Sequence, residues 1–280
     1  MKNFICNCRS YSLTAVALRN HNTKTQNSTT MKRLLTYSIS ILAAVAFAAI
    51  APCKAQDNSA KKTILTIGDS NGSFKWSWPV QLQNLLPEME VINNSESGRT
   101  VGQTNLGRES LNGCLIIDGI MEQVDQQLAG RNLDYIVICF GTNDGKVDFK
   151  DKTAEFKQNL ETFMDKIENS AAYKRSKPQV ILVTPFPMDE THEKFIPAKY
   201  EGATARIEGF GKDMETVAAE RRYTFINVFK PMTNDMIEHG TIDGVHLMPE
   251  LSAYVAGRIG AAISEEHAAQ RTASSGGIRK

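Results

Sequence analysis

The sequence predicts an α/β fold: a three-layer α/β/α sandwich around a mostly parallel five-stranded sheet. Two observations carry that expectation. Short apolar runs rich in β-branched residues alternate with longer stretches of helical periodicity, the order produced by parallel strands joined through crossover helices. The strongest run, residues 133–140 (Leu-Asp-Tyr-Ile-Val-Ile-Cys-Phe), is almost continuously apolar, as a strand covered on both faces must be.

The first strand is expected at residues 63–67. Residues 78–86 then carry helical spacing and stop at Pro87, and residues 90–92 supply a short second strand. Residues 95–112, rich in Gly and Asn, form a loop longer than a routine connector, and a long loop leaving a strand end is a candidate for function. A helix over 116–128 ends at Gly130, ahead of the third strand at 133–140. Phe156, Leu160, Phe163, Met164 and Ile167 recur at helical spacing and read as a core-facing stripe. The fourth strand is expected at 180–184, followed by a loop marked by Pro185, Pro187 and Pro197. A helix over 199–222, weakened by Gly202, Gly209 and Gly211, leads to a fifth strand at 224–228. The closing helix spans 249–263, with Pro249 suited to its first turn.

Of the 280 residues, 56–266 are expected to form the folded domain, a length that supports one substantial core. Met31-Lys32-Arg33 ahead of the apolar run 34–50, with Cys53-Lys54-Ala55 before Gln56, has the order of a secretory signal peptide over 31–55 cleaved near Ala55. A secreted or periplasmic protein is therefore expected, with no stable membrane insertion after cleavage. The apolar run is near the roughly 17-residue lower limit for a spanning helix, and the small residues and Pro52 just ahead of the site favour cleavage. Pro52 also stands where a lipoprotein signal carries a small residue, which disfavours lipidation at Cys53. Residues 1–30 have no export logic of their own and are read as a non-native or disordered extension. Residues 267–280, polar and rich in Ser and Gly, are read as a disordered tail.

Beyond the leader only Cys114 and Cys139 remain, so no disulfide framework is indicated. A formal charge of +1, with both signs interspersed, leaves no electrostatic footprint for nucleic acid. The histidines and acids lack compact ligand spacing, so neither a metal nor a cofactor is expected.

The chemistry-bearing residues lie in four blocks, and three of them follow strand ends. Ser70 in Gly68-Asp69-Ser70-Asn71 follows the first strand, and a serine there is a candidate nucleophile once a base removes its proton. His246 is the candidate base. The spacing Asp243-Gly244-Val245-His246 lets a turn bring a carboxylate to one ring nitrogen and leave the other for Ser70. Ser97-Gly98-Arg99 and Gly141-Thr142-Asn143-Asp144 occupy the second and third strand ends, places suited to oxyanion donors. Read singly, Ser70 is equally a turn serine, Gly98 a loop glycine, Asn143 a turn former and Asp-x-x-His a surface turn. Asp69 and Asp144 suit hydrogen bonding to loop N–H groups better than chemistry, with Asp144 the alternative partner for His246. His192 and His239 sit in polar sequence and read as solvated. Trp76, Trp78, Phe140, Phe149, Phe186, Phe195 and Met248 lie near the same edge and are candidate pocket walls, about half of which would ordinarily be core.

These four blocks in this order resemble the SGNH (GDSL-type) esterase and acylhydrolase family, whose letters fall on Ser70, Gly98, Asn143 and His246. The likeness runs from about Thr63 to about Ala262, and residues 108–113 and 141–149 are most similar to its aryl-esterase and acyltransferase branch. It implies an SGNH, flavodoxin-like fold, a catalytic Ser70, Asp243 and His246, and an oxyanion hole from the N–H groups of Ser70 and Gly98 and the Asn143 amide. One residue departs from the family pattern: Asn71 stands where Leu usually follows the nucleophile. The expected function is hydrolysis of carboxylic esters with small acyl groups, acetyl above all, on carbohydrates or simple alcohols. Lysophospholipid or thioester hydrolysis and acyl transfer are the enzymatic alternatives, and a non-catalytic carbohydrate-binding module on the same scaffold is the rival from another class.

Overall fold

The computed structural model describes residues 61–275, with side chains through Glu265. The expected leader 31–55 and the extension 1–30 lie outside the described residues. In chain order the elements are β1 (Thr63–Gly68), α1 (Ser70–Ser73), α2 (Trp78–Leu85), β2 (Glu90–Asn93), α3 (Gly113–Leu128), β3 (Tyr135–Cys139), α4 (Phe156–Asn169), α5 (Ala171–Ser176), β4 (Gln179–Val183), α6 (Pro197–Tyr200), α7 (Ala203–Arg221), β5 (Thr224–Ile226), α8 (Asn234–Gly240) and α9 (Pro249–Ser275). The strands form one sheet in the order β2-β1-β3-β4-β5, and every pairing is parallel.

Successive side chains of a strand point to opposite faces, and here each face meets its own helical layer. Leu65 and Ile67 of β1 and Ile136 and Ile138 of β3 pack with Ile117 and Met121 of α3, Leu160 and Phe163 of α4, and Ile207 of α7. Ile64, Tyr135 and Val137 pack on the other side, with Trp78 and Leu82 of α2 and Leu251 and Val255 of α9. Phe156 stacks on Phe210 with centroids 4.1 Å apart, joining α4 to α7. Each fully buried Leu, Ile or Phe contributes roughly 1.5–3 kcal/mol through the water it sheds, so these two clusters are what holds the sheet between its helices.

The structure departs from expectation in four places, each with a local cause. The helix expected over 199–222 is divided: Gly202 takes φ 68°, which ends the turn α6 and lets α7 start at Ala203. Gly209 and Gly211 are carried inside α7 without a break. β5 stops at Ile226 because the next N–H groups, of Val228 and Phe229, turn to the Thr184 hydroxyl instead of a strand. The long loop 95–112 contains two short 3₁₀ turns, Asn105–Gly107 and Glu109–Leu111. Finally, α9 runs on to Ser275, past the expected end at 263 and into the segment read as a tail. That correction has a reason in composition, since Glu265, Glu266, Ala268, Ala269, Gln270 and Arg271 are strong helix formers. No helix among the described residues is long and apolar enough to cross a membrane.

Because all strands run the same way, their carboxyl ends share one edge. The sheet order reverses between β1 and β3, the switch point at which open α/β sheets place their ligands. Ser70 follows β1 and Asn143 follows β3, so both stand at that crevice.

Candidate active site

The turn carrying Ser70 is built by its neighbours. Asp69 caps α1, its carboxylate accepting the Asn71 N–H at 3.0 Å, and Thr142 from the loop after β3 bonds the same carboxylate. Burial pushes the Asp69 carboxyl above its ordinary range, and those hydrogen bonds oppose the shift. Ser70 is the first residue of the helical turn, so its N–H is one of the donors that a helix start leaves without an internal partner.

The second half of the site is a tight turn between α8 and α9. Thr241 and Leu247 form an antiparallel bridge, and the Ile242 N–H donates to the His246 carbonyl at 2.8 Å. Gly244 closes the turn at φ 82°, with the Asp189 carbonyl so near that an added Cβ would lie 2.3 Å from it. One oxygen of Asp243 accepts the N–H groups of Val245 at 3.1 Å and His246 at 2.9 Å. The other lies 2.8 Å from His246 Nδ1. His246 Nε2 lies 3.1 Å from Ser70 Oγ. Burial alone would raise the Asp243 carboxyl, but the hydrogen bonds from the His246 ring, the His246 N–H and the Val245 N–H outweigh it and hold the group below its ordinary value.

An ionised carboxylate only accepts, so the neutral imidazole beside Asp243 carries its proton on Nδ1 and presents a bare lone pair on Nε2. That lone pair faces the Ser70 hydroxyl. The arrangement is able to remove the hydroxyl proton as Oγ attacks, with the resulting imidazolium held by the Asp243 charge.

Gly98 and Asn143 are brought together by their own loops. The Asn143 amide donates to the Arg99 carbonyl at 3.2 Å, which sets it against the segment carrying Gly98. Gly98 takes φ 87°, a backbone state natural to glycine, and its carbonyl accepts the Asn105 amide at 2.6 Å. Lys146 in turn donates to Asn105 Oδ1 at 3.2 Å and lies 5.7 Å from the centre of the Tyr200 ring. Burial lowers the Lys146 pKa. Asp144 accepts the Val101 N–H on both oxygens, at 3.0 and 3.2 Å, and so ties down the 95–112 loop. His246 draws its carboxylate from Asp243, and the alternative partnership with Asp144 does not form.

Three functional neighbours escaped the sequence reading. Asn105 and Lys146, which support Gly98, are separated by 41 positions and no local pattern links them. Phe74 meets the His246 ring edge-on at 5.3 Å and stacks on Trp76 at the same separation. Of the aromatic wall candidates, Trp78, Phe140 and Phe186 belong to the core, Phe149 and Phe195 are also buried, and Trp76 and Met248 remain half-buried. His239 is exposed, and His192 uses Nδ1 to accept the Lys194 N–H.

The fold is similar to that of several solved enzymes. A carbohydrate acetylesterase family member from Sinorhizobium meliloti superposes with a TM-score of 0.58 at 21% identity, covering 72% of this chain and 97% of that one. The native aryl esterase of M. smegmatis gives 0.57 at 19% identity, covering 74% and 99%. A lipase/acylhydrolase from Enterococcus faecalis gives 0.53 at 22% identity, covering 73% and 96%. No curated protein sequence matches the chain. Residues 65–252 match the model of the GDSL-like lipase/acylhydrolase family, a span reaching from β1 to the start of α9, and the chain belongs to that family.

Proposed function

We propose that this protein is an exported serine esterase that removes small acyl groups, acetyl above all, from carbohydrates or simple alcohols. The observation that carries the reading is the unbroken chain from Ser70 Oγ through His246 to Asp243, with contacts of 3.1 and 2.8 Å. In this mechanism Ser70 Oγ attacks the ester carbonyl while Nε2 takes its proton. The carbonyl electrons move to oxygen, where the N–H groups of Ser70 and Gly98 and the Asn143 amide receive the charge. Collapse of the tetrahedral intermediate breaks the bond to the alcohol, which leaves with the proton from Nε2. Water then attacks the acyl-Ser70 ester by the same sequence, releasing the carboxylic acid and restoring the hydroxyl.

The small-acyl assignment draws on the similarity to an acetylesterase and an aryl esterase, and on Phe74 and Trp76 beside His246. Export draws on the leader pattern at 31–55.

Two measurements test the reading. A fluorophosphonate should label the wild-type protein and leave Ser70→Ala unlabelled; ester turnover by Ser70→Ala at the wild-type rate rejects the nucleophile. For p-nitrophenyl acetate, butyrate and octanoate, kcat/KM should fall as the chain lengthens. Each extra methylene gains roughly 0.8 kcal/mol only where apolar surface receives it, so a steady rise with length rejects the small-acyl assignment.

A further inference from the structure

Asn71 is buried, and its side chain reaches across to the histidine loop, bonding the backbone on either side of His246. Its Nδ2 donates to the Val245 carbonyl at 3.3 Å, and its Oδ1 accepts the Leu247 N–H at 2.8 Å. A few residues on, Trp76 Nε1 donates to the Leu247 carbonyl at 3.1 Å. The residue next to Ser70 in sequence therefore holds the residues on both sides of His246. From this geometry we infer that Asn71 is the positioning residue that sets His246 Nε2 against Ser70 Oγ for proton transfer; the inference rests on the esterase reading above.

The chemistry of the clamp is specific to a short carboxamide. It must give a hydrogen to a carbonyl and take one from an N–H, and a leucine does neither. An aspartate at the same place accepts from Leu247 but faces the Val245 carbonyl with a second acceptor. Asp243 cannot replace the clamp, because its bonds are internal to the histidine turn and fix the ring relative to that turn alone. Registering the turn on Ser70 falls to contacts that cross between the two segments, and Asn71 makes two of them. The Asn71 N–H is itself held by Asp69, so the clamp starts from an anchored backbone.

A misplaced His246 has a chemical consequence that depends on the substrate. It weakens proton removal from Ser70 for every ester. It further weakens delivery of that proton to the departing oxygen, which an alkoxide needs and p-nitrophenolate does not. The test compares wild type, Asn71→Leu, Asn71→Asp and Ser70→Ala on p-nitrophenyl acetate and ethyl acetate, with folding checked by circular dichroism and thermal unfolding. Asn71→Leu should lose about 10²-fold in kcat/KM, which reports acylation up to departure of the leaving group, on p-nitrophenyl acetate, since misplacement of reacting groups by about 1 Å has that effect. Its loss on ethyl acetate should be larger. Asn71→Asp, which keeps the shape and one hydrogen bond, should fall between, and it carries the test where the leucine variant does not fold. Equal losses on the two esters, or wild-type rates in either variant, overturn the positioning role. Undiminished turnover by Ser70→Ala would instead overturn the esterase reading beneath it.

Discussion

The carboxylate of Asp243 holds both the ring and the backbone of His246, with one oxygen 2.8 Å from Nδ1 and the other accepting the His246 N–H at 2.9 Å. The same group thus selects the tautomer and fixes the direction of the ring. Asp243→Asn replaces one acceptor with a donor, and an NH₂ group facing Nδ1 favours the tautomer with its proton on Nε2, where the Ser70 hydroxyl must be deprotonated. We expect kcat to fall by about 10⁴-fold with the fold intact, the size of loss that a wrong tautomer produces in a serine triad. Single-turnover acylation measured beside Asp144→Asn checks the assignment, because Asp144 is committed to the Val101 N–H. A greater loss in Asp144→Asn would reverse it.

Asn143 donates one amide hydrogen to the Arg99 carbonyl, which orients the amide and leaves its second hydrogen for substrate. A donor aimed at a developing oxyanion acts in the transition state more than in the ground state. Asn143→Ala should therefore lower kcat by about 10²- to 10³-fold while KM changes little. An effect confined to KM would make Asn143 a substrate-binding residue instead.

Much of this architecture is legible in the sequence because it follows from local pattern. The β-branched runs place all five strands, and the order of the blocks puts Ser70, Gly98 and Asn143 at the carboxyl edge of a parallel sheet. Asp243 and His246 are legible because three residues separate them and a turn suffices to join them. The Lys146 to Asn105 contact is not legible, since it depends on how one long loop folds over another. Asn71 illustrates the same limit in a sharper form. As a sequence it is only a departure from the family pattern beside the nucleophile, whereas its partners lie 174 and 176 positions away. Trp78 and Phe186 likewise sit near the edge in sequence, but their side chains point back into the core.

Two glycines in opposite settings give opposite expectations. Gly244 has φ 82° and no room for a Cβ, since Asp189 O would lie 2.3 Å away. Left-handed backbone alone costs a non-glycine residue roughly 1–2 kcal/mol, and the clash adds to it. Gly244→Ala should lower the urea midpoint and, by displacing the Asp243 to His246 turn, cut kcat as well. Gly119 lies inside α3 with nothing within 4 Å of an added Cβ, so Gly119→Ala should stabilise the fold by about 0.5–1 kcal/mol through helix propensity. Equal midpoint shifts in the two variants would refute the backbone argument.

The protonation of Asp144 ties stability to pH. Burial pushes its carboxyl up to about 7, against the pull of hydrogen bonds from the Val101, Asp144 and Gly102 N–H groups. The folded chain therefore keeps a proton there that the unfolded chain has released above the ordinary aspartate value of about 4. With the folded pKa raised, the contribution to stability is full below about pH 4, drains away as the pH climbs toward 7, and is flat above it. At about 1.4 kcal/mol for each pH unit separating the folded and unfolded values, the whole change amounts to roughly 4 kcal/mol. Other carboxylates impose slopes of their own, so the informative quantity is the difference between wild type and Asp144→Asn, in which this site no longer titrates. Urea unfolding at pH 5, 6, 7 and 8 should show the wild type losing stability relative to the variant between pH 5 and 7, then running parallel to it. Parallel behaviour over the whole range would mean that Asp144 is already ionised in the folded protein, with the Val101 N–H bond strong enough to offset its burial.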